Sequence, residues 1–251
     1  MRILLAAAFL LIFIGCSGGA KNFPVGSYER GVAEFESEHY FEAVEDLKLF
    51  VRRNPTDSKV DEAQYHIGLS RFEDKDYPVA AVEFEILRTD YPNSARIDDA
   101  WYMEGLCYRK QMPSIERDQT ITKKALDHFR RYLANFPNGT RRSDVQAQVD
   151  ELQEVLDRKR LAAALLYERL GRTKAALVTL EALIADRSDS KLMPEMLLRA
   201  GDLASRLNDD EAARGYLERA VADDPDGEFG RRAQQKLERL EKTGGVDGSS
   251  R

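Results

Sequence analysis

The chain has 251 residues, 43% of them hydrophobic and 33% charged, with 38 lysines and arginines against 44 acids for a net charge of −6. That is enough chain for one large domain or two ordinary ones. An acidic balance with both signs mixed speaks against a nucleic-acid partner, which needs a basic excess on one face.

The N-terminus differs from the rest. Arg2 is followed by an uninterrupted apolar run over residues 3–14. The run is too short to cross a hydrocarbon core of about 30 Å as a helix, and it has the length of a signal-peptide core. It ends in Phe13-Ile14-Gly15-Cys16, then Ser17-Gly18-Gly19. A small residue before a cysteine directly after an apolar core resembles a bacterial lipobox. The resemblance implies diacylglyceryl transfer to the Cys16 sulfur, cleavage before Cys16 and acylation of the new amine with fatty acids such as palmitate. One acyl chain binds a membrane only marginally, at about 0.8 kcal/mol per buried methylene, whereas three on one residue anchor almost permanently. Ser17 in place of aspartate after the cysteine resembles the lipoproteins sorted to the outer membrane. With Cys16 acylated only Cys107 remains, so no intramolecular disulfide can form and stability must come from packing. Cys107 lies on a patterned helix and reads as a small core filler.

From Gly26 onward the pattern is helical and repeats every 37 residues. Tyr28, Tyr65 and Tyr102 keep this interval, as do Gly31, Gly68 and Gly105, Ala43 and Ala80, Pro55 and Pro92, and Ala176 and Ala213. Self-similarity with a period of about 20–50 residues marks a solenoid, whose units cannot bury an apolar face alone and stack into one core. In chain order the helices are expected over 27–37 and 41–53, 60–73 and 77–89, and 97–109 and 120–135, with residues 111–119 irregular around Pro113. Asn54-Pro55, Tyr91-Pro92 and Phe136-Pro137 end the second helix of each pair, because proline cannot continue a helix and biases its predecessor away from helical geometry. A long helix over 142–169 has no internal breaker. Ala176 and Ala213 mark the second helices of the fourth and fifth pairs, and 228–242 reads as a charged capping helix.

The second-helix alanine precedes the terminal proline by twelve residues at Ala43, Ala80, Ala125 and Ala213. A bulky apolar residue follows it by four at Leu47, Phe84, Phe129 and Leu217. Glycine, alanine, aromatic and proline at these offsets resemble tetratricopeptide repeats, three residues longer per unit. The fold expected is all-α, an α-solenoid of about five such helix-turn-helix repeats with a C-terminal capping helix. The expected organisation is a signal peptide over 1–15 and a flexible tether over 16–25. Repeats one to three then occupy 26–140, repeats four and five with the cap occupy 141–242, and a disordered tail takes 243–251. The lipobox, the tether and five repeats together resemble the BamD family of outer-membrane lipoproteins. The segments Tyr91-Pro92-Asn93-Ser94, Glu116-Arg117-Asp118, Tyr132-Leu133-Ala134-Asn135-Phe136-Pro137 and Tyr167-Glu168-Arg169-Leu170-Gly171 carry the resemblance, and Arg187-Ser188 departs from it where Tyr-Pro would stand. The resemblance implies a scaffold anchored to the periplasmic face of the outer membrane, with unfolded outer-membrane β-barrel precursors and β-barrel assembly subunits as partners. A pilotin for a type IV pilus secretin, an envelope-coordinating adaptor and an accessory cell-wall enzyme are the alternatives.

Enzymatic signals are poor, and no cofactor, metal site or catalytic residue is expected. His39, His66 and His128 are scattered without ligand spacing; His39 reads as a turn residue, His66 and His128 as helix-surface residues. Acid pairs such as Glu45-Asp46 and Asp98-Asp99 read as solvated faces. The better signal is a ladder on the first helices: Tyr28, Val32 and Phe35, then Tyr65, Leu69 and Phe72, then Tyr102, Leu106 and Arg109. Residues spaced by four and three share a helix face. By resemblance to tetratricopeptide repeats they line a peptide groove; the other reading is that they are core between stacked units, with Phe35 and Phe72 retreating first because Arg109 takes their place. The ladder is absent from the fourth unit (Leu161, Leu165, Glu168) and the fifth (Leu198, Asp202, Ser205).

Lipidation gives the first test. Replacing Cys16 with alanine should abolish metabolic fatty-acid labelling and release the protein from the outer membrane. Full retention in the membrane fraction would mean that protein contacts hold it there.

Overall fold

A computed structural model describes residues 20–244, which form eleven α-helices and a short 3-10 turn at Ala20–Asn22, with no strand among them. The expected signal peptide, Cys16 and most of the expected tail lie outside the described residues. Contacts group the chain into two units, divided between Lys110 and Gln111. The first holds α1 (Tyr28–Glu36), α2 (Tyr40–Arg53), α3 (Val60–Glu73), α4 (Tyr77–Asp90) and α5 (Ile97–Lys110). The second holds α6 (Thr120–Asn135), α7 (Arg142–Arg169), α8 (Thr173–Asp186), α9 (Met193–Arg206), α10 (Asp210–Asp223) and the cap α11 (Glu228–Gly244). The division falls inside the expected third repeat, because the inserted residues 111–119 separate the two helices of that pair. The expected tether is partly docked: Ala20 is buried and the turn Ala20–Asn22 packs on α1, and the Gly26 amide that follows donates to the Asp46 Oδ1 at 2.7 Å.

Within each unit consecutive helices pack side by side. The repeated small residues explain the close pairing. Ala43, Ala80, Ala125, Ala176 and Ala213 are fully buried, and the bulky residues four positions later, Leu47, Phe84, Phe129, Leu180 and Leu217, are buried with them. Leu47, Phe84 and Leu217 each press against the glycine of the helix before. A Cβ built on Gly68 would lie 2.6 Å from Phe84 Cε1, one on Gly201 2.7 Å from Leu217 Cγ, and one on Gly31 would collide with Leu47. Glycine stands there because the facing side chain occupies the volume a methyl group needs.

Two kinds of turn join the helices, and both recur. Inside a pair, one residue takes the left-handed conformation: Glu38, Lys75, Gly171 and Asn208 have φ of 63°, 64°, 69° and 60°. The amide of the next residue then reaches five residues back, as from His39 to Glu34, Asp76 to Arg71, Arg172 to Tyr167 and Asp209 to Ala204. This closes the helix end in a Schellman-type cap. Between pairs, two successive short turns bridge the gap, as in Asp57 to Asn54 followed by Val60 to Asp57. Ser94 and Ile97, Gly139 and Arg142, and Ser190 and Met193 repeat it. This link accommodates the longer period. Arg187-Ser188 makes it without proline: the cap residues Asn54, Tyr91, Phe136 and Arg187 share φ between −132° and −121° and ψ of 56° to 69°.

The same substitution should act with opposite sign at two glycines. Gly68→Ala gains about 1 kcal/mol of helix propensity but must displace a buried ring, a strain of about 1–3 kcal/mol, so its melting temperature should fall. Gly215, in the interior of α10 with nothing within 4 Å of a built Cβ, should gain stability as alanine. Thermal melts of both variants decide it.

Candidate functional site

In the first unit, α1, α3 and α5 carry the ladder. Eight of its nine members, Tyr28, Val32, Phe35, Leu69, Phe72, Tyr102, Leu106 and Arg109, are half-buried, whereas Tyr65 is only 9% exposed and belongs to the core. The rings are packed in a repeating manner. Phe35 meets Tyr40 at 5.8 Å between centroids and Phe72 meets Tyr77 at 5.3 Å, the last turn of each first helix against the start of the second. Lys59 Nζ lies 4.9 Å from the Tyr28 ring centre and the Arg96 guanidinium 5.3 Å from that of Tyr65. Each cation belongs to the link before the next first helix, and each is tied to a nearby acid: Lys59 to Glu29 at 2.7 Å, Arg96 to Glu62 at 2.6 Å. A cation over a ring face is attracted by the ring quadrupole. The inserted residues 111–119 shift the third link, and the residue that stands just before the next first helix there is again a cation, Arg141.

The expectation that the phenylalanines retreat while the tyrosines stay open is therefore reversed on α3. Tyr65 lies between Phe84, at 5.8 Å, and Arg96, while Phe72 keeps exposed surface. The accessible part of the face is Val32, Leu69, the phenylalanine edges, Tyr102 and Leu106.

His66 is the residue that sequence reasoning missed. It is half-buried on α3, with Phe35 at 5.4 Å, Tyr65 at 6.2 Å and Tyr28 at 6.3 Å, all edge-on. Its Nδ1 is buried without a hydrogen-bond partner. Burial holds the imidazole below its ordinary pKa; Glu62 and Glu36 pull it upward and Arg96 pushes it down. It stands neutral at pH 7, a polar group inside an aromatic cluster. His128 is buried as well, edge-on to Phe129 at 6.3 Å. Both were expected on the surface; in stacked pairs a helix has neighbours on both flanks, so the position beside a ladder residue is covered too. His39 is exposed and meets Glu34 at 2.9 Å.

Asp46 also departs from expectation: it is buried, and besides the Gly26 amide it meets Arg30 Nε at 2.8 Å. Glu83, one period later, is buried between Lys48 at 2.7 Å and the Gln64 amide at 2.8 Å. Glu104 takes Arg88 at 3.1 Å and accepts from the Tyr108 hydroxyl at 2.9 Å. Each of these buried carboxylates joins side chains of neighbouring helices. Cys107 is fully buried, and burial together with Glu104 pushes its thiol up to about 12, leaving it unreactive at neutral pH.

The second unit has no such ladder. Its most buried acid, Asp157 on α7, accepts from the Ser190 hydroxyl at 2.8 Å and pairs with Arg187 at 3.2 Å. That arrangement ties the link before α9 to the long helix. Among the described residues no cluster of histidine, cysteine and acids could hold a metal ion, and no helix is long and apolar enough to cross a membrane.

Repeated helix pairs with an aromatic face on one half bear directly on kinship. The family described as outer membrane lipoprotein, YfiO, matches residues 23–216. The chain belongs to this family. It is 27% identical over 117 residues to a Caulobacter vibrioides protein named outer membrane protein assembly factor BamD, a match spanning 46% of this chain and 38% of that relative. Among solved structures it is similar to the TPR2AB domain of yeast Sti1 in complex with pHSP90, at 13% identity and TM-score 0.48, covering 86% of this chain and 82% of that one. A thermophilic TPR protein of Thermus thermophilus is 17% identical at TM-score 0.34, covering 85% and 96%.

Because Tyr65 is core, truncating it to alanine should cost about 3–5 kcal/mol of stability. Chemical denaturation should show it as a lowered midpoint. A variant melting like the parent would place the ring on the surface.

Proposed function

We propose that this protein is a non-enzymatic, lipid-anchored scaffold of the outer-membrane β-barrel assembly machinery. Cys16 carries the acyl chains, and the folded repeats face the periplasm. The first-helix face of the first unit engages unfolded β-barrel precursors, and the repeats of the second unit dock on the assembly subunits. Membership of the outer membrane lipoprotein family supports the location, and the name of the Caulobacter relative supports the assembly role.

The observation that carries the substrate half is the apolar surface left on α1, α3 and α5. Val32, Leu69, Phe35, Phe72, Tyr102 and Leu106 are not fully buried and, apart from the Tyr102 hydroxyl, are apolar, and they recur at helical spacing on successive first helices. Large apolar and aromatic side chains give contact area at low entropic cost. Such a face suits an extended segment with aromatic and aliphatic side chains, as an unfolded barrel strand presents. His66, with its unpartnered Nδ1 beside Phe35, supplies a polar group in the same cluster.

Site-specific photocrosslinking from Leu69 in intact cells tests this. Crosslinks to nascent barrel proteins are expected, and Phe35→Ala with Phe72→Ala should weaken capture by about tenfold or more, since interface aromatics contribute about 1–2 kcal/mol each. Co-isolation from crosslinked membranes should recover barrel-assembly subunits. Recovery of a pilus secretin in their place would favour a pilotin, and unchanged capture by the double variant would remove the groove.

A further inference from the structure

The second unit carries a feature that the ladder reading leaves unused. Between α7 and α9 lies a depression of about 520 Å³ lined by Ala162, Leu165, Glu168, Arg169, Arg199 and Arg206. Leu165 and Glu168 occupy the positions that hold ladder residues in the first unit. Here the corresponding positions carry no ring, and Arg169, Arg199 and Arg206 each stand one residue after one of them.

The charges in this depression are unevenly matched. Arg206 Nη1 donates to Glu168 Oε1 at 2.9 Å, and Arg199 Nη1 stands 3.9 Å from Glu168 Oε2. Arg199 also donates through Nε and Nη2 to Glu195 Oε1, at 3.0 and 2.9 Å, which braces it against its own helix. Arg169 is exposed and forms no ion pair or side-chain hydrogen bond with any of the described residues. Each guanidinium offers five N–H donors in a planar fork. Three arginines therefore converge on two carboxylates, with most donors unused, on a chain whose net charge is −6. Glu168 shows the chemistry the depression accepts: a carboxylate seated between Arg199 and Arg206.

An apolar strip runs beside the arginines. Leu166 and Leu170 are 49% and 62% exposed. Leu166 follows Ala162 by four and precedes Arg169 by three along the end of α7, so it shares a face with both, and Leu170, the cap residue four positions after Leu166, prolongs the exposed leucine surface beyond the helix end. Exposed leucines next to convergent cations are a costly surface to leave in water, and they define a partner with both properties.

We propose that this depression is a docking site for an acidic, leucine-bearing segment of a partner protein. The segment's carboxylates pair with Arg169 and with the free edges of Arg199 and Arg206, while its aliphatic side chains cover Leu166 and Leu170. The proposal deepens the docking role given above to the second unit, and rests on it for the partner's identity. Charge complementarity selects an acidic segment, and the apolar strip selects against a purely polyanionic one. Glu168 competes for Arg206 and must yield to the incoming carboxylate, which sets the affinity of the empty site.

Fluorescence anisotropy tests this with the chain from residue 20 onward, which contains all the described repeats. The probes are three labelled twelve-residue peptides alternating leucine with aspartate, asparagine or lysine, alongside phosphatidylglycerol vesicles. The leucine–aspartate peptide should bind best, and more weakly as salt rises. Arg169→Ala with Arg206→Ala should weaken it on the order of tenfold. Glu168→Gln, which removes the competing charge while keeping the shape, should tighten it several-fold; this variant serves should the double variant fold poorly. Equal binding of the asparagine peptide, weakened binding by Glu168→Gln, or binding to vesicles alone would overturn the proposal. If the aspartate peptide binds as expected but the wild-type protein co-isolates no assembly subunit, the functional reading fails and the pocket stands. If subunits co-isolate while the arginine changes leave peptide binding untouched, the pocket fails and the functional reading stands.

Discussion

Everything in this molecule depends on how closely the two helices of a pair approach. A glycine on the first helix faces a buried leucine or phenylalanine on the second, with a buried alanine one turn before it. Gly31 with Leu47, Gly68 with Phe84 and Gly201 with Leu217 make the same contact in three repeats, and none leaves room for a methyl group at the glycine. Interiors packed to crystal-like density do not absorb such an intrusion without shifting a neighbour. Because the contact recurs, each pair starts from the same geometry, and residues one period apart arrive at equivalent places.

That equivalence extends to features with no hydrophobic content. The left-handed turn residue appears at Glu38 and Lys75, then at Gly171 and Asn208, two of which are not residue types that favour this conformation. The cap and its five-residue-back hydrogen bond keep it in place. The cations over Tyr28 and Tyr65 obey the same period, as do the buried acids Asp46 and Glu83. The repeat is thus a set of polar and backbone interactions around a small–large packing contact, and the shared geometry at Arg187-Ser188 shows that proline only reinforces a link the backbone already makes.

The two units use this frame differently. In the first, first helices present rings, partly covered by cations that are themselves held by acids. In the second, the corresponding positions present Leu165 and Glu168 with arginines converging on them. Under the function proposed above, such a separation keeps an extended apolar substrate and a docking partner on different surfaces, since an aromatic face and a guanidinium-lined depression select different chemistries.

Period, helix order and fold class were legible in the sequence because they follow from local rules: glycine and alanine where helices touch, proline or turn residues where they end, apolar residues at helical spacing. The long α7 was readable from the absence of a breaker, and its bounds agree with the structure. What only the tertiary structure decided is which side of a half-apolar helix is covered. Tyr65 and Phe72 share one face of one helix, yet Tyr65 is sealed by Phe84 and Arg96, both distant in sequence, while Phe72 keeps accessible surface. His66, Asp46 and His128 read as solvent-facing because their own helices gave them no partner; neighbouring helices buried them. The convergence of Arg169, Arg199 and Arg206 was invisible for the same reason. Helical spacing specifies the face a side chain shares with its neighbours in sequence, but burial and charge pairing are set by what packs against that face.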